Sequence, residues 1–245
     1  MSSKTSQRRE STPIVLIHGG GFGASCWDLV LPFLEGPVLA VDLPGRGVHP
    51  AALDAVTIED AAASVVADID AAGFEVVVLV GHSLAGCSMP ATIGMLGPRV
   101  GHAVFVACTV PDDGSSAFDT LDLEMQARAS GAAQDGEPGI LSSELARSLF
   151  GNDLNDEQFA WCLERMMPEA PGLVTEAVDL SPLRSPVPST WVRPIRDAIV
   201  APDKQLRYAQ NVGQHDLIDL DAGHMCMISR PEELGAILNG IAGSI

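Results

Sequence analysis

The sequence has few basic residues, and its few cysteines are not paired, so several classes of protein are excluded. Its 245 residues include 14 Lys and Arg against 32 Asp and Glu, which gives a formal net charge of −18. A chain this acidic repels phosphate backbones and anionic headgroups, so neither nucleic acid nor a membrane surface is an expected partner. With 47% hydrophobic residues, the chain is also unlike an acidic disordered tail. We therefore expect a folded protein that acts on a small molecule.

No cysteine pair and no long apolar run is present. The odd number of cysteines and their wide spacing argue against a disulfide framework and against a zinc site. No apolar run reaches the roughly 18 residues of a membrane span, and residues 1–12 show no apolar signal-peptide segment. We expect a cytoplasmic protein with a disordered polar N-terminus over residues 1–12. The five cysteines are Cys26, Cys87, Cys108, Cys162 and Cys226.

Short apolar runs alternate with helical patterns along most of the chain. Several runs, such as residues 75–80 (EVVVLV), are continuously apolar, which is typical of parallel strands covered on both faces. Residues 57–72 form a helical pattern that Thr57 is suited to cap. The alternation predicts an α/β fold, a mostly parallel twisted sheet with helices on both faces. The runs are residues 14–17, 37–41, 75–80, 104–107, 187–192 and 217–220.

Residues 109–185 break this alternation. They contain no convincing strand, only helix-like stretches around 119–130, 141–150 and 155–167. The segment is too long for a single crossover connection. We therefore predict an inserted helical cap over residues 109–185, and a core formed by residues 13–108 and 186–245.

The strongest local motif is the sequence GHSLAG at residues 81–86, directly after EVVVLV. A serine on a tight strand-to-helix turn is held in a strained conformation that presents its Oγ above the sheet. Small residues flank the serine as this turn requires, although Ala85 departs from the G-x-S-x-G consensus. A helix starting at Leu84 would direct free N–H groups towards an oxyanion near Ser83. Pro90 is expected to kink that helix.

A second motif is the glycine loop, residues 18–23 (HGGGFG), at the end of the first apolar run. Glycines let a main-chain N–H approach a reacting centre without a side chain in the way. In a protein with a nucleophile elbow, this loop supplies one oxyanion donor, here Gly20, and Leu84 supplies the other.

The glycine loop also fits a different function. The spacing Gly19-x-Gly21-x-x-Ala24 matches a loose dinucleotide fingerprint, and Asp42 follows the next predicted strand. An NAD(P)-binding oxidoreductase is therefore an alternative, although it gives no role to residues 81–86 or to the cap.

An acid and a base follow two later strands. A serine hydroxyl needs a base to take its proton, and the imidazole of that base needs an acceptor on its other nitrogen. Ser83, Asp197 and His224 occur in this order, each just after the carboxyl end of a predicted strand, where function gathers in parallel sheets. Asp197 is the preferred acid because it sits at a strand end and is followed by Ala-Ile-Val and not by further acids. Other aspartates near strand ends are Asp112, Asp113, Asp203, Asp219 and Asp221.

Together these motifs resemble the α/β-hydrolase superfamily over residues 14–241. The closer resemblance is to the small cap-bearing esterases and hydroxynitrile lyases of the methyl-esterase type. It implies that Ser83 is the nucleophile, His224 the general base and then acid, and Asp197 the orienting carboxylate. It also implies an oxyanion hole at Gly20 and Leu84, with no metal or organic cofactor. The matching segments are residues 18–19, Trp27, residues 41–45, residues 81–84, Asp197, residues 223–225 and residues 230–232.

Two departures bear on the reaction. Cyanohydrin-cleaving relatives carry a threonine and a lysine where this sequence has Gly19 and Met225, so we do not expect that lyase chemistry. We expect a neutral, moderately apolar ester or lactone substrate, and a monomer or homodimer. The fold alone does not fix the function. A cyclase, another lyase, a cofactor-free oxygenase and a ligand-binding receptor-like module therefore remain alternatives.

The substrate pocket is expected between cap and core. Ligand sites are mostly apolar with a few polar groups, and the cap supplies aromatic and methionine side chains for such a wall. The predicted lining residues are His18, Gly21, Phe22, Met125, Phe150, Phe159, Trp161 and Met225.

Overall fold

Six parallel strands form one sheet in the order β2-β1-β3-β4-β5-β6. The computed structural model describes residues 11–121, 126, 143–185 and 187–245. Each of the six predicted strands is present, with ends that differ by up to a few residues, and the predicted fold class is confirmed. The strands are β1 (Ile14–Ile17), β2 (Val38–Val41), β3 (Val77–His82), β4 (Val100–Val106), β5 (Ser189–Pro194) and β6 (Asp216–Leu220).

The strand order reverses at β1, which pairs with β2 on one side and β3 on the other. Ligands bind at such a switch point, beyond the carboxyl ends of the strands. Ile17 at the end of β1 is in register with Gly81 in β3. The glycine loop and the turn at Ser83 therefore leave the sheet side by side.

Helices cover both faces of the sheet. Successive strand residues point to opposite faces, and the apolar side chains on each face pack against helices. In β1, Val15 and Ile17 face one core cluster, and Ile14 and Leu16 face the other. The first cluster includes residues of α1, α2, α5 and α6, and the second includes residues of the remaining helices. The helices are α1 (Ile58–Ala71), α2 (Met89–Leu96), α3 (Ser143–Phe150), α4 (Asp156–Leu163), α5 (Pro171–Thr175), α6 (Pro202–Val212), α7 (Cys226–Ser229) and α8 (Pro231–Ala242).

The predicted N-cap of α1 is present. The Thr57 side chain accepts a hydrogen bond from the Asp60 N–H at 3.0 Å, and the Asp60 carboxylate accepts one from the Thr57 N–H at 3.0 Å. This reciprocal pair satisfies two N–H groups that have no partner within the helix. The Thr57 hydroxyl and the Thr57 N–H, which both donate to the Asp60 carboxylate, lower the pKa of Asp60.

The segment after Ser83 differs from the prediction. Residues Ser83–Cys87 form a 3-10 helix, and the α-helix begins only at Met89. The expected α-helix start at Leu84 is therefore wrong, because a proline ring at position 90 would clash with the Gly86 carbonyl in a continuous helix. The expected kink is wrong as well. Pro90 lies in the first turn of α2, where an N–H has no intrahelical acceptor to lose.

The described residues of 109–185 contain α3, α4 and α5 and no strand. The predicted helix-like stretches at 141–150 and 155–167 correspond to α3 and α4. Most of the stretch at 119–130 lies outside the described residues, as do residues 1–10.

Thr12 donates a main-chain hydrogen bond to Ala242 at 3.2 Å. Within the described ranges, no helix combines the length and apolar character that crossing a membrane requires.

Candidate active site

Ser83 adopts a backbone conformation that non-glycine residues rarely occupy. It follows β3 directly and has a φ of 53°. The turn is packed closely against the loop after β4. A Cβ on Gly86 would lie 2.4 Å from the Thr109 carbonyl oxygen, while the Thr109 N–H donates to the Ser83 carbonyl at 2.9 Å. This strain is held by the surrounding packing, and it is the conformation expected of a nucleophile elbow.

A chain of two hydrogen bonds links Ser83, His224 and Asp197. The Ser83 Oγ lies 2.9 Å from His224 Nε2. On the other side of the ring, His224 Nδ1 lies 2.8 Å from Asp197 Oδ2. The His224 and Asp197 side chains are 1% and 0% exposed, whereas Ser83 is partly exposed. The carboxylate therefore accepts the Nδ1 proton, which leaves the Nε2 lone pair facing the serine hydroxyl.

Asp197 is held by three donors besides His224. Its Oδ1 accepts from the N–H groups of Ile199 and Val200 at 2.8 and 2.9 Å. Its Oδ2 accepts from Gln205 Nε2 at 3.2 Å, and Gln205 is itself fully buried on α6. A buried carboxylate needs such partners. They fix the orientation of the oxygen that faces His224.

The other candidate acids do not bond to His224. Among the described contacts, four of the five have side-chain partners elsewhere, and Asp203 lies exposed in the first turn of α6. The four pairs are Asp112 with Asn211, Asp113 with Arg184, Asp219 with Arg193 and Asp221 with Arg196.

The glycine loop faces the 3-10 helix that begins at Ser83. A Cβ on Gly20 would lie 2.9 Å from Leu84 Cδ2, so only glycine fits there without a shift of that side chain. In the described part of the chain, the Gly20 N–H has no acceptor. The Leu84 N–H lies in the first turn of its helix, where no intrahelical acceptor exists. Both groups are thus open to an oxygen bound beside Ser83.

A cap residue that the sequence did not reveal anchors the glycine loop. The Gly21 N–H donates to Glu169 Oε2 at 2.8 Å, and the Gly21 carbonyl accepts from the Met167 N–H at 2.9 Å. Glu169 Oε1 pairs with Arg46 Nη2 at 2.7 Å, and the Arg46 side chain is only 1% exposed. The cap therefore fixes Gly21, which was predicted to line the pocket.

Two buried histidines support the site in the neutral form. His18 Nδ1 donates to the Gly19 carbonyl at 2.8 Å, and its Nε2 accepts from the Leu43 N–H at 3.2 Å. Burial lowers the pKa of His18 to about 4. Burial and the neighbouring His224 lower the pKa of His82 well below its ordinary value. Both ring nitrogens of His18 are engaged by the main chain, so it supports the loop.

One predicted pocket aromatic, Phe150, lies next to the base, and a second, Phe22, packs against it. The Phe150 ring contacts the His224 ring edge-on at 6.1 Å between centroids, and it contacts Phe22 at 5.8 Å. Phe22 comes from the glycine loop and Phe150 ends α3. Cap and core thus meet at an apolar contact beside the catalytic candidates.

Two further predicted pocket aromatics, Phe159 and Trp161, each contact an arginine. The Arg147 guanidinium lies 4.7 Å from the Phe159 ring centroid, and that of Arg165 lies 3.6 Å from Trp161. Met225 lies where the chain turns into α7, and its side chain is fully buried. Met125 lies outside the described residues.

The dinucleotide alternative lacks its main structural element. A phosphate-binding loop leads into an α-helix whose N-terminus receives the phosphate. Here the described residues between β1 and β2 form only the 3-10 helices Ala24–Trp27 and Leu31–Phe33. Asp42, the proposed ribose ligand, instead accepts the Ala24 N–H at 2.8 Å.

A large cavity lies away from these residues, and a narrow crevice lies beside them. A cavity of about 890 Å³ lies near the amino ends of β4, β5 and β6, where His102, Ser189 and Asp216 line it. That is the opposite edge of the sheet from Ser83. A narrow crevice adjoins Gly20, Leu84 and Glu169. The crevice, and not the larger cavity, borders the candidate active site.

The model of the alpha/beta hydrolase family matches residues 14–237. The chain belongs to this family. This hydrolase is similar in sequence to Methylesterase 7 of Arabidopsis thaliana, which is 28% identical over 93% of the chain and 95% of the relative. The putative chloroplastic methylesterase 14 of the same plant is 26% identical over 93% of the chain and 71% of the relative.

Solved structures give the same fold for this hydrolase. An extracellular α/β-hydrolase from a Paenibacillus species superposes with a TM-score of 0.85 at 22% identity, covering 94% of the chain and 99% of the other. That enzyme is described as sharing structural and functional homology with tobacco salicylic acid binding protein 2. Polyneuridine aldehyde esterase superposes with a TM-score of 0.74 at 24% identity, covering 95% and 99% of the two chains.

Proposed function

We propose that this α/β-hydrolase is a serine carboxylic ester hydrolase that cleaves a neutral, moderately apolar ester or lactone. The observation that carries the proposal is the pair of bonds from Ser83 through His224 to Asp197, at 2.9 and 2.8 Å. The methylesterase names of the relatives support ester hydrolysis and make methyl esters the first substrate class to test.

The first step forms an acyl-enzyme. His224 Nε2 takes the proton of Ser83 as Oγ attacks the ester carbonyl carbon, and Asp197 stabilises the resulting imidazolium. The Gly20 and Leu84 N–H groups donate to the oxyanion of the tetrahedral intermediate. Removing one such donor costs about 3–4 kcal/mol of transition-state stabilisation in serine hydrolases. The alcohol then leaves with the proton carried by His224.

The second step releases the acid. Water takes the place of the alcohol, His224 removes its proton, and the hydroxide adds to the acyl carbon. The same two N–H groups hold the second oxyanion, and Ser83 recovers its proton as the ester bond breaks. The two steps together consume one water and need no metal or organic cofactor.

The surroundings of the site support a neutral substrate. Phe22 and Phe150 offer an apolar contact next to His224. The Glu169 carboxylate borders the same crevice as Gly20 and Leu84. Its charge is offset by the Arg46 guanidinium at 2.7 Å, so this pair gives the crevice no net charge that would favour an ionic acyl group.

Location and assembly remain predictions. The five cysteines are free and buried, which supports a reducing compartment such as the cytoplasm. A monomer or homodimer remains the expected state.

The test compares turnover of methyl, ethyl and butyl esters and of lactones by wild type and Ser83→Ala. We expect methyl ester turnover by wild type and a loss of at least about 10³-fold in Ser83→Ala. Ser148→Ala, an exposed cap serine, is the matched control and should keep wild-type rates. Ligand-induced stabilisation without product release would contradict hydrolysis and favour a receptor-like module.

A further inference from the structure

The cap turn, residues 151–155 between α3 and α4, contacts both loops that carry the acid and the base. Asn152 Nδ2 donates to the Arg196 carbonyl oxygen at 2.6 Å. The adjacent residue, Asp153, accepts the Gly223 N–H on Oδ2 at 2.7 Å. Arg196 directly precedes Asp197, and Gly223 directly precedes His224. Two neighbouring cap residues thus each bind the residue before one member of the acid–base pair.

The contact with the His224 loop is buried and close. The Asp153 side chain is 2% exposed. A Cβ on Gly223 would lie 2.4 Å from Asn152 Oδ1 and 2.5 Å from Asp153 Oδ1, so the cap turn packs directly on the glycine backbone. Asp153 Oδ1 has no hydrogen-bond partner in the described structure. Such a buried carboxylate oxygen costs free energy, so its position here serves the contact with Gly223.

The two catalytic loops are also joined to each other, but through Arg196. Its N–H donates to the Ala222 carbonyl at 2.9 Å, and its guanidinium bonds to the Asp221 carbonyl and carboxylate, both at 2.8 Å. Arg196 Nη2 lies 4.0 Å from Asp153 Oδ2. The Asp221 carboxylate is well exposed, whereas the Asp153 contact is not. The cap turn therefore adds a buried contact to the loop of His224 through Asp153 and an exposed contact to the loop of Asp197 through Asn152.

We propose that Asn152 and Asp153 are positioning residues that set the separation between Asp197 and His224, so that seating of the cap and assembly of the catalytic pair are coupled. This inference rests on the proposed function, in which His224 is the base. A small misplacement of a reacting group lowers the rate steeply.

Four variants separate positioning from a general effect of the cap. Asn152→Ala removes the donor to Arg196, and since Asn152 is exposed, its loss leaves the core packing intact. Asp153→Ala removes the acceptor for Gly223, whereas Asp153→Asn keeps an oxygen there and should rescue. Glu157→Gln, on the exposed first turn of α4, removes a cap charge without touching either loop. Thermal unfolding checks that each variant is folded.

We expect kcat to fall about tenfold or more in Asn152→Ala and Asp153→Ala, with KM within about twofold of wild type. The low-field proton NMR resonance of His224 Nδ1–H, assigned by its loss in His224→Ala, should weaken or shift in the free protein. Asp153→Asn should recover most of each signal.

The inference is overturned if both alanine variants match Glu157→Gln in kcat and in the NMR resonance. It is also overturned if they change only KM, since that would make them substrate contacts. The NMR readout needs no substrate. An altered resonance in a protein that cleaves no ester would therefore reject the proposed function and keep the coupling of cap and catalytic pair.

Discussion

The Nε2–H of His82 donates a hydrogen bond to the main-chain carbonyl oxygen of His224 at 3.0 Å. The two imidazole rings are also in contact, with centroids 4.7 Å apart. His82 is the last residue of β3 and directly precedes Ser83. The proposed nucleophile and the proposed base are thus joined a second time. The bond runs from the side chain of His82, the residue before Ser83, to the backbone of His224.

Replacing His82 tests this second connection. In His82→Phe, the buried His224 carbonyl loses its donor, which costs about 1–3 kcal/mol of folding free energy. We expect a drop in kcat of about tenfold as the base loop loosens. His82→Gln retains a donor amide and should recover part of both losses. Urea unfolding and steady-state kinetics measure the two effects, and equal behaviour of both variants would contradict a role for the hydrogen bond.

Asp197 should be the acid on which the rate depends. In Asp197→Asn, an amide replaces the acceptor of the Nδ1 proton, so His224 takes the tautomer that carries its proton on Nε2 and cannot serve as base. We expect kcat to fall by on the order of 10³- to 10⁴-fold, as in other serine hydrolases. Asp203→Asn, another aspartate near a strand end, should stay within about twofold of wild type. Similar losses in both variants would reject the assignment.

The sequence predicts these catalytic candidates because each of their signals is local. Strand runs, the Thr57 cap and the small residues around Ser83 are all defined by neighbours within a few positions. The parallel sheet then brings the strand ends together, so the order Ser83, Asp197 and His224 suffices to predict their meeting. The sequence favours Asp197 over the other aspartates because Ala-Ile-Val follows it, and its bond to His224 distinguishes it from them in the structure.

The supporting residues could not be predicted, because their partners are distant in sequence. Glu169 bonds to Gly21 across 148 positions and His82 to His224 across 142. Gln205 carries no motif at all, and its role depends on which side of α6 faces β5. His82 lies within the quoted motif, where its position before the serine was the one available signal.

Gly86 at the elbow and Gly240 in α8 should differ sharply in their tolerance of alanine. A Cβ on Gly86 would lie 2.4 Å from the Thr109 carbonyl oxygen, which is backbone and cannot move aside cheaply. We expect Gly86→Ala to lower the free energy of unfolding by about 1–3 kcal/mol. Gly240 lies within α8 and a Cβ there would meet nothing within 4 Å. Gly240→Ala should stabilise by about 0.5–1 kcal/mol, and thermal or urea unfolding of the pair checks both signs.

Stability should fall as the pH drops below about 6.5. His18 is neutral in the folded protein, because burial and, to a lesser extent, Arg46 lower its pKa from 6.5 to about 4. The hydrogen bond to the Gly19 carbonyl and the Asp42 carboxylate oppose part of this shift. The unfolded chain binds a proton in this window and the folded one does not, so protonation favours unfolding. A shift of this size contributes about 3 kcal/mol that is present above pH 6.5 and lost towards pH 4.

His82 adds to the same pH dependence, because burial, His224 and His18 all lower its pKa. Urea unfolding at several pH values between 7.5 and 4.5 gives the slope of stability against pH. This slope is proportional to the number of protons that the chain takes up on unfolding. That number should be smaller in His82→Gln than in wild type by up to one. A free energy of unfolding that stays constant across this range would contradict the neutral state of both histidines.

The most direct test of the central claim is intact mass after exposure to a serine-directed fluorophosphonate. Only a serine activated by a base and flanked by oxyanion donors reacts at an appreciable rate. We predict one adduct on wild type and none on Ser83→Ala, with thermal unfolding confirming that both are folded. An absence of adduct on folded wild type, or an adduct that persists in Ser83→Ala, would contradict the assignment of Ser83 as the nucleophile.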